Sequence, residues 1–228
     1  MEGTGQKSNN DLATTLLMVK QFHAEGKYWD IQLQVGGKVF KCQRSLLAGI
    51  SEYFDTMFSS NFEEAKTCND TPIVLQEDKE AFKELLQFSY TGDVYVTDSN
   101  VHHLLAMSDR LRLRTTHVKD QCVKYIQDRS EDEEPMPNAL DIYSFIYVKE
   151  IELLVDNASA HICQHWRHYS MDEKFMEISF DSFNALLKYS KTWILPLYGT
   201  ADALLCVILK WINHSRKERS KHRNALLK

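Results

Sequence analysis

The chain has 228 residues, 43% apolar and 11% aromatic, enough to bury one large or two small cores. Its formal net charge of −5 gives no reason to expect a nucleic-acid partner, and no apolar run approaches the ~20 residues of a membrane-spanning helix. The five cysteines (Cys42, Cys68, Cys122, Cys163, Cys206) form no C-x-x-C pair, which argues against a disulfide framework or zinc site. Four of them sit in apolar patterns and read as small core residues of a protein kept reduced, in the cytosol or the nucleus.

Residues 1–10 are polar, cannot form a secretory signal and read as disordered. A helix is expected from Asp11, its N-cap, with Leu12, Leu16, Leu17, Val19 and Phe22 among its apolar positions, ending near Gly26. From Asp30, two strand-like runs meet at Gly36-Gly37, a dipeptide suited to a tight hairpin. Leu46, Leu47, Ile50, Phe54, Met57 and Phe58 then recur at helical spacing and predict one helix over 45–58. A strand at Ile73, Val74 and Leu75 precedes a helix through Phe82, Leu85, Leu86 and Phe88 that stops at Tyr90-Thr91-Gly92. A short strand over 93–96 and a helix capped by Thr97 or Asp98 are expected next, then a further helix over about 115–127.

The clearest break follows. Ser130-Glu-Asp-Glu-Glu-Pro-Met-Pro137 joins four consecutive acids to two prolines and reads as a solvated linker. Beyond Asn138 every pattern is helical: Leu140 to Tyr147, Ile151 to about Trp166, a short turn at Phe175 to Ile178, Phe183 to Leu187, the apolar run Ala203 to Trp211, and a charged closing helix. The Lys-, Arg- and His-rich stretch after Lys210 reads as a solvated face, with a weak nuclear-import or phosphate-binding patch as the alternative. The fold class is therefore α+β, helices packed on a small sheet, followed by an all-α domain.

These residues carry a family resemblance. DIQLQVGGKVFKCQRSLLAGISEYFDTMFSSNFEEA and FKELLQFSYTG resemble the BTB (POZ) domain, a protein-interaction module. NALDIYSFIYVKEIELLVDNASAHICQHW, KFMEISFDSFNALLKYS and the segment holding Trp211-Ile212 are similar to the BACK domain that follows BTB in kelch-like proteins. The resemblance implies a BTB domain over 11–129, a linker over 130–137 and a BACK domain over 138–228. Family members normally continue into a six-bladed propeller. This sequence stops within a BACK helix, which leaves a fragment, a short isoform and a propeller-less relative all open.

The resemblance also implies site residues. Family BTB domains dimerise partly through the helix before the first strand, here carrying Leu12 and Leu16, and pair a carboxylate and a base at positions matching Asp30 and Arg44. The alternative for that pair is an ordinary cap and a surface ion pair, worth about 0–1 kcal/mol. Cullin-binding members carry a hydrophobic residue, any residue, then Glu after an M-F dipeptide; Phe62-Glu63-Glu64 after Met57-Phe58 fits. Phe62 would be an apolar anchor and Glu64 a hydrogen-bond acceptor, with Thr56, Met57 and Leu111 extending the patch. Alternatively Phe62 plugs the core and the acids are solvated. Gln43 stands where the family usually has His; its amide can both donate and accept.

The implied function is a non-catalytic, dimeric substrate adaptor linking a protein substrate to the cullin-three scaffold of a ubiquitin ligase, with no cofactor and no metal. A cullin-independent scaffold or cytoskeletal protein is the first alternative and a transcriptional repressor the second. His161, His165 and His168 share a helix face beside Cys163, but no carboxylate completes a metal motif. Neither a phosphate loop, G-x-S-x-G nor H-E-x-x-H occurs.

Overall fold

The computed structural model describes residues 25–59, 71–148, 152–198 and 201–226, together with Thr14, Leu17, Met18, Lys20 and Gln21, all five of them helical. The chain divides into two compact units, Met1–Cys122 and Val123–Lys228. No helix among the described residues is long and apolar enough to cross a membrane.

The first unit is built on a hairpin. β1 (Ile31–Val35) and β2 (Lys38–Cys42) are antiparallel, with Leu33 opposite Phe40 and Ile31 opposite Cys42. Period-two alternation puts Ile31, Leu33, Val35, Phe40 and Cys42 on one buried face. Gly36 and Gly37 both have positive φ (55° and 80°), the backbone a two-residue hairpin turn requires. A Cβ on Gly36 would also lie 3.0 Å from the Cβ of Lys79. β3 (Ile73–Leu75) runs parallel to β1, giving the order β2-β1-β3.

The single helix expected over 45–58 is instead two: α1 (Arg44–Ile50) and α2 (Glu52–Ser59). Ser51 between them is extended (φ −140°, ψ 127°). Apolar periodicity runs through the break, so the pattern could not show it. What compensates the break is a distant segment. Arg112 accepts from the Glu52 N–H (3.1 Å), the Arg114 N–H donates to the Ile50 carbonyl (2.9 Å), and Ser51 pairs with Leu113 in an isolated bridge. Backbone groups exposed by leaving the helix thus find partners.

α3 (Lys79–Thr91) starts at Asp78, whose carboxylate accepts from the Glu80 and Ala81 N–H groups, and ends at Gly92 with φ 77°. Its Phe82 meets Phe40 edge to face at 5.2 Å, locking the helix onto the sheet. The strand expected over 93–96 does not join the sheet. Side chains occupy its backbone groups instead: Thr91 Oγ1 accepts from the Asp93 N–H and donates to its carbonyl, and Asn100 Nδ2 donates to the Tyr95 carbonyl. The next helix, α4 (Val101–Arg110), begins later than expected. Thr97 and Asp98 precede its Asn100 N-cap, and the Asn100 side chain accepts from the Thr97 N–H at 2.8 Å.

α5 (His117–Ser130) contains the division between the units, after Cys122. The second unit is helical, as expected: α6 (Ala139–Val148) packs on α7 (Glu152–Gln164), followed by α8 (Trp166–Tyr169), α9 (Glu173–Glu177), α10 (Phe180–Tyr198) and α11 (Ala201–His214). The charged closing helix is broken into α12 (Arg216–Arg219), a 3₁₀ turn (Ser220–His222) and α13 (Arg223–Leu226). The core is an aromatic chain: Trp166 against Phe175, Phe175 against Phe183, and Phe183 stacked on Trp211 at 4.8 Å. Cys42, Cys122 and Cys163 are buried, and burial pushes each thiol up to about 12, as inert core residues require. Cys206 departs from the core expectation. It is exposed on α11, beside exposed Leu205 and near Leu209. Cys68 lies outside the described residues.

Candidate protein-interaction face

α2 has two faces. Phe54 is fully buried and stacks on half-buried Phe58, one turn on, at 5.7 Å; this i, i+4 pair anchors the helix. On a helix the residues at 53, 56 and 57 share another stripe, and there Tyr53 is 39% exposed, Thr56 exposed and Met57 half-buried. The structure thus brings the expected Thr56 and Met57 together and adds Tyr53, which was missed. Its i−3 and i−4 spacing from those two residues was the signal that could have found it.

Ser51 fixes the rotation of that stripe. Its hydroxyl donates to the Leu111 carbonyl at 2.5 Å and accepts from the Phe54 N–H at 3.2 Å, capping α2. Asp55 accepts from Arg114 Nη2 at 2.5 Å across the same junction, an exposed pair of small energetic weight. Leu111 corrects an expectation. Only 2% exposed, it is a core residue and cannot extend a surface patch. Its carbonyl receives Ser51, so its part at this face is positional. The family resemblance that named it could not tell which side of the turn after α4 faces solvent. Phe62 and Glu64 lie outside the described residues.

Of the residues expected at a dimer interface, Leu12 and Leu16 also lie outside them. The neighbouring helical positions Leu17 and Met18 are 66% and 53% exposed. Asp30 and Arg44 do come together, through the backbone. Asp30 Oδ1 accepts the Arg44 main-chain N–H at 2.7 Å, a carboxylate at the first turn of α1, where free N–H groups and the helix dipole favour negative charge. The Arg44 guanidinium reaches the Asp30 carbonyl through Nε at 3.5 Å and lies 5.3 Å over the Phe58 ring. Gln43 uses its donor: Nε2 bonds the carbonyl of Tyr28, a residue with φ 58°. Nearby Tyr90 is pushed up to about 12 by burial, with Cys42 adding to the shift.

Among the described residues no group of His, Cys, Asp and Glu side chains could hold a metal ion. The helix face expected to hold His161, His165 and His168 is broken: α7 ends at Gln164, His165 is the N-cap of α8, and His168 lies within α8. His161 is buried and hydrogen-bonded, and the His165 ring sits 4.7 Å from it.

Comparison with known proteins places this architecture. The BTB/POZ domain model matches residues 19–130. Kelch repeat and BTB domain-containing protein 12 of Homo sapiens is 28% identical over 200 residues, 87% of this chain and 30% of that protein. Kelch repeat and BTB domain-containing protein 8 of Xenopus tropicalis is 27% identical, covering 91% of this chain and 32% of the relative. Kelch-like protein 41a of Danio rerio is 25% identical, covering 91% and 34%. The chain spans about a third of the length of the curated relatives it matches.

Proposed function

This chain belongs to the BTB/POZ family with kelch-type relatives, and on that premise we propose that it is a dimeric, non-catalytic substrate adaptor for a cullin-three ubiquitin ligase. The observation that carries the reading is the outward stripe Tyr53, Thr56 and Met57 on α2, held in place by Ser51 and leading directly toward Phe62 and Glu64 in sequence. An exposed tyrosine beside a methionine is residue usage enriched at protein interfaces. Phe62 supplies an apolar anchor, and Glu64 accepts hydrogen bonds that fix the register of the partner.

Dimerisation is proposed through the amino-terminal helix, where exposed Leu17 and Met18 continue the pattern of Leu12 and Leu16. Two docking faces per particle raise the effective concentration at a multivalent substrate. The adaptor performs no chemistry; it holds a lysine-bearing substrate near the ubiquitin-loaded enzyme. We assign the BTB domain to 11–129, the linker to 130–137 and a BACK domain to 138–228, and propose a location in the cytoplasm, with the nucleus as a second compartment.

Light scattering of the chain alone and mixed with the amino-terminal domain of cullin-three tests this reading. The expected masses are those of a homodimer and of a complex of two chains with two cullin fragments. A monomer that forms no complex contradicts both halves of the proposal. A homodimer that leaves the cullin fragment unbound favours a cullin-independent scaffold.

A further inference from the structure

One imidazole holds both ends of the segment between α5 and α6. His161, on α7, is 1% exposed. Its Nε2 accepts the Met136 N–H at 3.1 Å, and its Nδ1 faces the Ser130 carbonyl at 3.3 Å. A backbone N–H can only donate, so Nε2 must carry a lone pair and the ring proton must sit on Nδ1, where a carbonyl receives it. The neutral Nδ1–H form is thereby specified. The Tyr169 hydroxyl closes the cluster, donating to the Met136 carbonyl at 3.0 Å with its oxygen 3.1 Å from Nε2. Met136 itself is 2% exposed, and between the two anchored ends Glu131, Asp132, Glu133 and Glu134 stand in solvent.

We propose that His161 is a proton-operated latch: neutral, it clamps residues 130–136 to α7; protonated at Nε2, it releases them. A proton on Nε2 sets N–H against the Met136 N–H, and the backbone cannot rotate that donor away. The hydroxyl oxygen of Tyr169 can accept from the new N–H, but it cannot replace the lost backbone bond. The charged groups around the ring divide. Asp132 favours the cation, whereas Arg129 (itself paired with Asp132) and His165 oppose it. Among the described residues the His165 Nε2 is itself buried without a hydrogen-bond partner.

Burial, then the His165 ring, hold the His161 imidazole below the ordinary value of 6.5. The sign follows. The released form binds protons more readily than the clamped one, so the clamp is fully effective above 6.5 and weakens as pH falls through 6.5 toward the lowered value.

The test is amide hydrogen exchange at Met136, expressed as a protection factor so that intrinsic exchange chemistry cancels, at about pH 7.5 and about pH 5.5. Protection is expected to fall by about tenfold in the wild-type chain. It is expected to stay level in His161→Gln, whose amide offers an acceptor that does not titrate. Nitrogen NMR of the wild-type ring at neutral pH should report a proton on Nδ1, a readout that does not depend on the variant folding. Unchanged wild-type protection, a neutral ring protonated on Nε2, or a variant as pH-sensitive as the wild type would overturn the latch.

Discussion

Trp211→Ala is expected to destabilise the helical unit by about 3–5 kcal/mol, the range for deleting a fully buried large aromatic. Trp211 is 1% exposed and stacks on Phe183, so its removal opens a cavity against a ring that has neighbours on its other side. Two polar attachments go with it. The indole Nε1–H donates to the Ile178 carbonyl at 3.1 Å, and the Arg219 guanidinium lies 4.0 Å over the ring. Arg219 also donates to the Met176 and Trp211 carbonyls, tying α12 to α9 and α11. The consequence should spread from the core to the carboxy-terminal helical turns. Guanidinium denaturation followed by circular dichroism measures the loss. Trp211→Phe, which keeps the stacking and gives up the indole donor, should recover more than half of it. A loss under about 1 kcal/mol in Trp211→Ala would mean that the site collapses freely and that the aromatic chain is not the core.

The second large effect concerns docking. Phe62→Ala combined with Glu64→Ala should weaken binding of the cullin-three amino-terminal domain at least about a hundredfold, since an anchor and a charge-assisted acceptor are removed together. Tyr53→Ala should cost less, because Tyr53 lies a full turn behind Met57 and keeps part of its surface against the protein. Fold stability should move little in either case. Phe54, not Tyr53, fills the core beneath α2, and Ser51 still caps the helix. If the double substitution changed stability as much as affinity, Phe62 would be a core residue after all.

Much of the fold was legible because the first unit obeys local rules. Gly36-Gly37 needs positive φ at both positions, and alternation in the flanking strands puts Leu33 and Phe40 on the same face, so hairpin and core face follow from sequence. The stop at Gly92 and the helices of the second unit follow similarly. What was hidden depended on partners far along the chain. The break at Ser51 is compensated by residues 111–114, some sixty positions away, and nothing in the heptad-like spacing of Leu47, Phe54 and Phe58 signals it. The same distance concealed the core role of Leu111. Residues 93–96 were misread for the opposite reason. Val94, Tyr95 and Val96 have strand propensity, but Thr91 and Asn100 take up the backbone groups a ladder would need.

The candidate face was legible in outline, since Thr56 and Met57 do share a stripe of α2, while Tyr53 was overlooked in favour of the residues a motif names. At Asp30 and Arg44 the carboxylate serves the backbone N–H of a helix start, which is the capping alternative for that pair.

Calorimetric titration of the wild-type chain, shown by light scattering to be a folded homodimer, with the amino-terminal domain of cullin-three tests the central claim most directly. Sub-micromolar binding at one cullin fragment per chain is the predicted result. A folded dimer that shows no heat and no change in mass when the cullin fragment is added would contradict it.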